Sequence, residues 1–208
     1  MSAEHAAPTP TPTPAPLYGL VLSGGASKRM HTDKAALRYQ DTNWLALSVA
    51  KLGAVTSKTF VSIRAEQRHD PLRAGFNTLE DQVNCQGPMA GILTALQRYP
   101  QVAWLVLAVD LPVLHTDTLR FLIQQRDATQ LATAFRSESD QLPEPLCAIY
   151  EPAAKTALES FVAEGKHCPR KFLLQHAVRL LTQPTSHQLD NINTPADWQR
   201  VLAGELST

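Results

Sequence analysis

The sequence predicts an α/β fold: a single three-layer domain with a mostly parallel central sheet between helices. Three observations point there. Short apolar runs alternate with amphipathic stretches from residue 17 onward, the pattern of strands joined by crossover helices. The run VAWLVLAV at 102–109 is continuously apolar, which implies a central strand buried on both faces. The length of 208 residues suits one core.

Residues 1–16 (MSAEHAAPTPTPTPAP) place proline at every second position from Pro8. Each proline removes a backbone donor and favours extended conformations, so 1–16 reads as a disordered Pro/Thr-rich tail and 17–208 as the domain. The expected strands are 17–22, 59–63, 102–109, 131–135 and 146–150. Helical spacing of apolar residues places helices over 44–52, 88–96, 116–123 and 152–162. Pro88 suits a first helical turn and Thr116 an N-cap. The segment SESDQLPEP at 137–145 reads as an exposed loop, and Asn191 with Asn193 as a turn before a helix starting near Pro195.

Composition narrows the function. Lysine plus arginine equal aspartate plus glutamate at 19 each, so there is no global field to hold a nucleic acid or an anionic membrane, and the ligand is expected to be small. Cys85, Cys147 and Cys168 lie far apart without a CxxC pair, against a zinc site or a disulfide framework. No apolar run approaches the ~20 residues that span a bilayer, and no signal-peptide pattern opens the chain. A cytoplasmic location is expected. The seven histidines show neither HxxxH nor HxE spacing, and none is read as a ligand.

The segment LVLSGGASKRMHTDKA at 20–35 carries the chemistry. An apolar strand runs into Gly24 and Gly25, then Lys28, Arg29, Asp33 and Lys34. Glycines let backbone N–H groups approach an anion, and three cations within seven positions can neutralise a triphosphate. The loop matches neither GxxxxGK[ST] nor GxGxxG, which excludes a P-loop ATPase and a dinucleotide-binding fold. A second signal is Asp110, directly after the most hydrophobic strand, in LVLAVDLP. One carboxylate facing a triphosphate is enough to anchor Mg2+, which takes its other ligands from phosphate and water.

With these motifs the chain resembles the molybdenum cofactor guanylyltransferases and related nucleotidyltransferases. The resemblance rests on LSGGASKRMHTDK at 22–34, LED at 79–81, GPMAGI at 87–92, VDLP at 109–112, PEPLCAIYEP at 143–152 and DNINTPADW at 190–198, in that order. It implies a Rossmann-like nucleotidyltransferase fold that binds GTP and Mg2+ and transfers GMP to the phosphate of molybdenum-bound molybdopterin. It further implies that Leu22, Ser23, Gly24 and Gly25 contact the nucleotide and that Arg29 and Lys34 hold phosphates. Asp81 would contact the nucleoside, Asp110 the metal, and Asn191 and Asn193 the acceptor.

The family's glycine after Arg-Met is replaced here by His31, which tolerates a positive φ less well. Cytidylyl transfer to the same cofactor, nucleotidyl transfer to a sugar phosphate, and a non-catalytic nucleotide-binding relative remain alternatives. A labile product gains from direct transfer, which makes a cofactor-handover protein a candidate partner.

Overall fold

The computed structural model describes residues 14–23, 33–39, 41–83, 85–192 and 194–203. In chain order the elements are β1 (Leu17–Leu22), a 3-10 turn (Lys34–Ala36), β2 (Arg38–Tyr39), β3 (Thr42–Asn43), α1 (Trp44–Gly53), β4 (Thr59–Ile63), a second 3-10 turn (Ala65–Gln67), β5 (Thr78–Glu80) and α2 (Pro88–Arg98). There follow β6 (Ala103–Ala108), α3 (Thr116–Gln124), β7 (Ala132–Arg136), β8 (Pro143–Tyr150), α4 (Ala154–Ala163), α5 (Pro169–Gln175), β9 (Val178–Leu181) and α6 (Pro195–Leu202). Seven strands form one sheet in the order β5-β4-β1-β6-β8-β7-β9, and β2 and β3 form a separate ribbon. Within the large sheet β8 runs against both neighbours, and every other pairing is parallel.

Successive side chains of a strand point to opposite faces, and this alternation builds the three layers. Val21, Leu105 and Leu107 pack on one face with Trp44, Leu45 and Leu52 of α1, Leu119 and Leu122 of α3 and Val201 of α6. Leu20, Leu22, Trp104 and Val106 pack on the other with Met89, Ile92 and Leu96 of α2, Leu158 of α4 and Phe172 of α5. The central strand β6 is buried along its whole length, as its apolar run predicts. Asn43 caps α1 by accepting from the Ala46 N–H at 2.8 Å.

Gly91 sets how closely α2 lies on the sheet. A Cβ there would stand 2.4 Å from Ser62 Oγ and 2.8 Å from Leu22 Cδ2. One turn earlier Gly87 takes φ 72° as the N-cap of α2, a conformation glycine adopts without strain, and Pro88 fills the first helical position.

The structure departs from expectation in several places. β2, β3, β5, β9 and α5 were not foreseen. The exposed loop expected at 137–145 is shorter, because β8 begins at Pro143 and the Ser137 N–H closes a hairpin onto the Leu142 carbonyl at 2.8 Å. Pro143 pairs with Arg136 where the β7–β8 register shifts, an irregular place in which a strand tolerates proline. Thr116 is the first residue of α3, and His115 is its N-cap. Ala15 and Pro16, assigned above to the tail, are tied to the domain: Pro16 O accepts from Ala103 N at 2.9 Å and Ala15 O from Arg126 Nη1 at 2.9 Å. Among the described residues no helix is long and apolar enough to cross a membrane.

Candidate active site

The chain lays β4 and β5 on one side of β1, then crosses to place β6 on the other. The crevice beyond the strand carboxyl ends at such a reversal is where open α/β sheets bind ligands. Leu22, Ser62 and Ala108 stand level there, with Leu79 beside Ser62. Ser23 follows β1, Asp81 follows β5, and Asp110 comes two residues after β6.

Asp33 and Lys34 approach this edge from the 3-10 turn. Asp33 Oδ1 accepts from Ala35 N at 3.0 Å and caps the turn, which directs Lys34 back toward the sheet. Lys34 Nζ donates to Asp110 Oδ2 at 3.0 Å, with side chains only 13% and 21% exposed. The other oxygen, Asp110 Oδ1, is buried and has no hydrogen-bond partner among the described residues. An unpaired buried acceptor costs about 1–3 kcal/mol or more when charged, and a hard cation is the natural complement to a carboxylate oxygen so placed. The donor chemistry therefore fits magnesium. Among the described residues no group of three or more His, Cys, Asp or Glu could enclose a metal, so such an ion would take most of its ligands from substrate and water.

Ser23 lies on a hydrogen-bond chain across three strands. Its hydroxyl donates to the Ser62 carbonyl at 3.0 Å, and the Ser62 hydroxyl donates to Asp81 Oδ1 at 2.8 Å. Burial pushes the Asp81 carboxyl above the usual carboxylate range, and the Ser62 hydroxyl opposes that rise. Behind the chain sits Arg73, a guanidinium only 1% exposed, donating to Ser23, Asp33 and Asp70.

On the far side of Asp110, Ile192 N donates to the Asp110 carbonyl at 3.1 Å, which brings residues 190–192 alongside Asp110. Asn191 lines a pocket there with Leu111, Glu144, Cys147, Arg170 and Leu189. Arg170 donates to Asp140 at 2.9 Å and Glu144 at 3.1 Å. Burial raises the Glu144 pKa and pushes the Cys147 thiol to about 12, so Cys147 is an inert wall. Lys51 Nζ reaches the turn after Asp110 from below, donating to the Pro112 carbonyl at 2.6 Å.

Of the residues singled out in the sequence, Leu22, Ser23, Lys34, Asp81, Asp110 and Asn191 converge on this edge. Gly24, Gly25, Arg29, His31 and Asn193 lie outside the described residues. Sequence reasoning missed Arg73, Ser62 and Lys51. Arg73 carries no motif, and its partners at the site, Asp33 and Ser23, lie 40 and 50 positions away; the alternation in TFVSI alone could have placed Ser62 on an inner face.

A mostly parallel sheet with a Lys–Asp pair and a buried carboxylate oxygen at its switch point suits a nucleoside-triphosphate transferase. Residues 19–180 match the family model described as "MobA-like NTP transferase domain", and the chain belongs to that family. It is 36% identical over 186 residues to the "Molybdenum cofactor biosynthesis bifunctional protein" of Synechocystis sp., covering 89% of this chain but 54% of that protein. The chain thus spans about half the length of that relative. It is 31% identical over 202 residues to the "Probable molybdenum cofactor guanylyltransferase" of Rhodopirellula baltica, covering 93% of this chain and 92% of the relative. Among solved structures, the molybdopterin-guanine dinucleotide biosynthesis protein A of Archaeoglobus fulgidus superposes with a TM-score of 0.75 at 22% identity, over 90% of this chain and 99% of that one. That likeness speaks for the fold.

Proposed function

We propose that this protein transfers GMP from GTP to the phosphate of molybdenum-bound molybdopterin, releasing pyrophosphate. The observation that carries the proposal is the Lys34–Asp110 pair at the switch point, with Asp110 Oδ1 buried and unpartnered among the described residues; the relatives' names supply the nucleotide and the acceptor. In this reading Leu22, Ser23, Gly24 and Gly25 hold the nucleotide through their backbone, Asp81 contacts the nucleoside, and Arg29 and Lys34 neutralise the phosphates. Asn191 and Asn193 hold the acceptor. Asp110 would hold magnesium, whose chemistry here is to offset the negative charge of the triphosphate oxygens.

An acceptor phosphate oxygen attacks the α-phosphorus in line, a P–O bond forms, and the bond to the β-phosphate breaks with its electron pair leaving on pyrophosphate. A phosphate monoester is already anionic near neutral pH, so positioning and charge neutralisation suffice without a strong general base. The described site accordingly needs no nucleophilic serine or cysteine. Cys85, Cys147 and Cys168 are free thiols, in keeping with a reducing cytoplasm, and a receiving protein for the labile product is part of the same reading.

The test is calorimetric titration of the wild-type chain and Asp110→Ala with GTP, CTP, ATP and UTP, with and without Mg2+, followed by turnover with the molybdenum acceptor. Selective, magnesium-assisted GTP binding is expected, with at least a ~10²-fold loss of turnover in Asp110→Ala. A preference for CTP would overturn the guanylyl assignment, and binding of none of the four would overturn the transferase.

A further inference from the structure

We propose that Arg73 is a positioning residue that clasps the two stems of the phosphate loop, and so sets the preference of the site for a triphosphate over a monophosphate. The proposal rests on the reading of residues 22–34 as the nucleotide loop. Ser23 and Asp33 are the last described residue before residues 24–32 and the first after them. One guanidinium binds both. Nε donates to Ser23 Oγ at 3.1 Å, and Nη2 donates to Ser23 O at 3.0 Å and to Asp33 Oδ2 at 2.8 Å. Nη1 is held by Asp70, whose Oδ1 accepts from Leu72 N at 2.9 Å.

The geometry makes this more than a buried ion pair. The planar fork presents donors in fixed directions, so the distance between the two stems is defined by one rigid group. The contact at Ser23 Oγ leaves its hydroxyl proton to the Ser62 carbonyl, and Ser62 in turn donates to Asp81; Arg73 therefore fixes the Ser23 backbone in register with Asp81. The contact at Asp33 anchors the residue whose other oxygen caps the turn bearing Lys34. Through Asp33, Arg73 sets where Lys34 meets Asp110. Arg73 itself is buried and touches no reacting atom.

Two variants test the clasp. Arg73→Lys keeps a cation but offers one nitrogen, which cannot reach Ser23 O, Ser23 Oγ and Asp33 in a single plane. Asp33→Asn keeps an oxygen to cap Ala35 and leaves the Arg73–Asp70 pair in place, so it guards against a folding failure of the first. The readout is the ratio of GTP to GMP affinity in the presence of Mg2+, with the melting temperature of each protein as control. The ratio is expected to fall ~10-fold or more in both variants, because displaced stems misplace Lys34 relative to the phosphates. A general loosening of the fold would weaken both nucleotides alike. An unchanged ratio in folded Asp33→Asn overturns the clasp while the wild-type chain still binds GTP; failure of the wild-type chain to bind GTP removes the loop reading and the clasp together.

Discussion

Replacing Gly91 with alanine tests how α2 and the site depend on one another. On an exposed helix this change stabilises by about 1 kcal/mol. Here the new methyl would meet Ser62 Oγ at 2.4 Å, Leu22 Cδ2 at 2.8 Å and Ser62 Cβ at 3.0 Å. Overpacking of this kind costs about 1–3 kcal/mol, and turning the Ser62 hydroxyl aside forfeits its bond to Asp81, worth about 1.5–3 kcal/mol to a charged acceptor. The net destabilisation comes to about 3 kcal/mol, a fall of about 6–12 °C in Tm for a chain of this size. Scanning calorimetry of Gly91→Ala, Ser62→Ala and the double variant forms a cycle. Without Oγ the worst contact is gone, so Gly91→Ala should cost at least ~1 kcal/mol less on the Ser62→Ala background. A rise in Tm for the single variant, or equal costs on both backgrounds, refutes the packing argument.

Two further predictions follow from buried charges. Arg126 grips Glu151 through Nε and Nη2 at 2.6 and 2.8 Å, with Glu151 only 2% exposed. Glu151→Ala should therefore cost about 3–5 kcal/mol by stranding the guanidinium, read as a drop in unfolding free energy, while Arg126→Leu combined with Glu151→Leu recovers most of it. Burial lowers the Lys51 pKa to about 8, below its unfolded value, so the unfolded chain binds more protons between pH 8 and 10.5 and this group's contribution to stability rises with pH across that window, by up to about 3 kcal/mol. Cys147, held at about 12 by burial, pushes the opposite way above pH 9. The measurement is accordingly the difference in denaturant-derived stability between wild type and Lys51→Met from pH 7.5 to 10.5; parallel curves refute the assignment.

The layers of the fold were legible because their signals are local. The apolar runs of β1, β4 and β6 and the helical spacing of α1 to α4 survive in the sequence as patterns. β5, at three residues, and β9, at four, are too short to show a period, and tertiary pairing alone makes them strands. β8 starts at Pro143, earlier than the expected 146–150, because the shifted register at its start accommodates the proline. At the site, Lys34 and Asp110 are visible as a loop cation and a strand-end carboxylate, and the structure joins them 76 positions apart. Arg73 was invisible for the converse reason: an arginine in the Pro- and Gly-containing stretch DPLRAG signals a solvated loop, and only the fold reveals that it is enclosed.

The reversed direction of β8 divides the molecule into two regions of unequal tolerance to redesign. Leu107 near the end of β6 pairs with Cys147, so Pro143 to Pro145 run on past the edge where the parallel strands stop, and the 137–142 turn hangs beyond them. Altering the length or composition of that turn changes the wall bearing Glu144 without crossing any strand that carries Ser23, Asp81 or Asp110. The side built from β1, β4, β5 and β6 has less freedom, since its parallel strands are joined by crossovers, two of them through α1 and α2, that pack on the sheet. Under the proposed function, grafting that hairpin would alter the pocket lined by Glu144 and Asn191 and leave Ser23, Asp81 and Asp110 on their original frame.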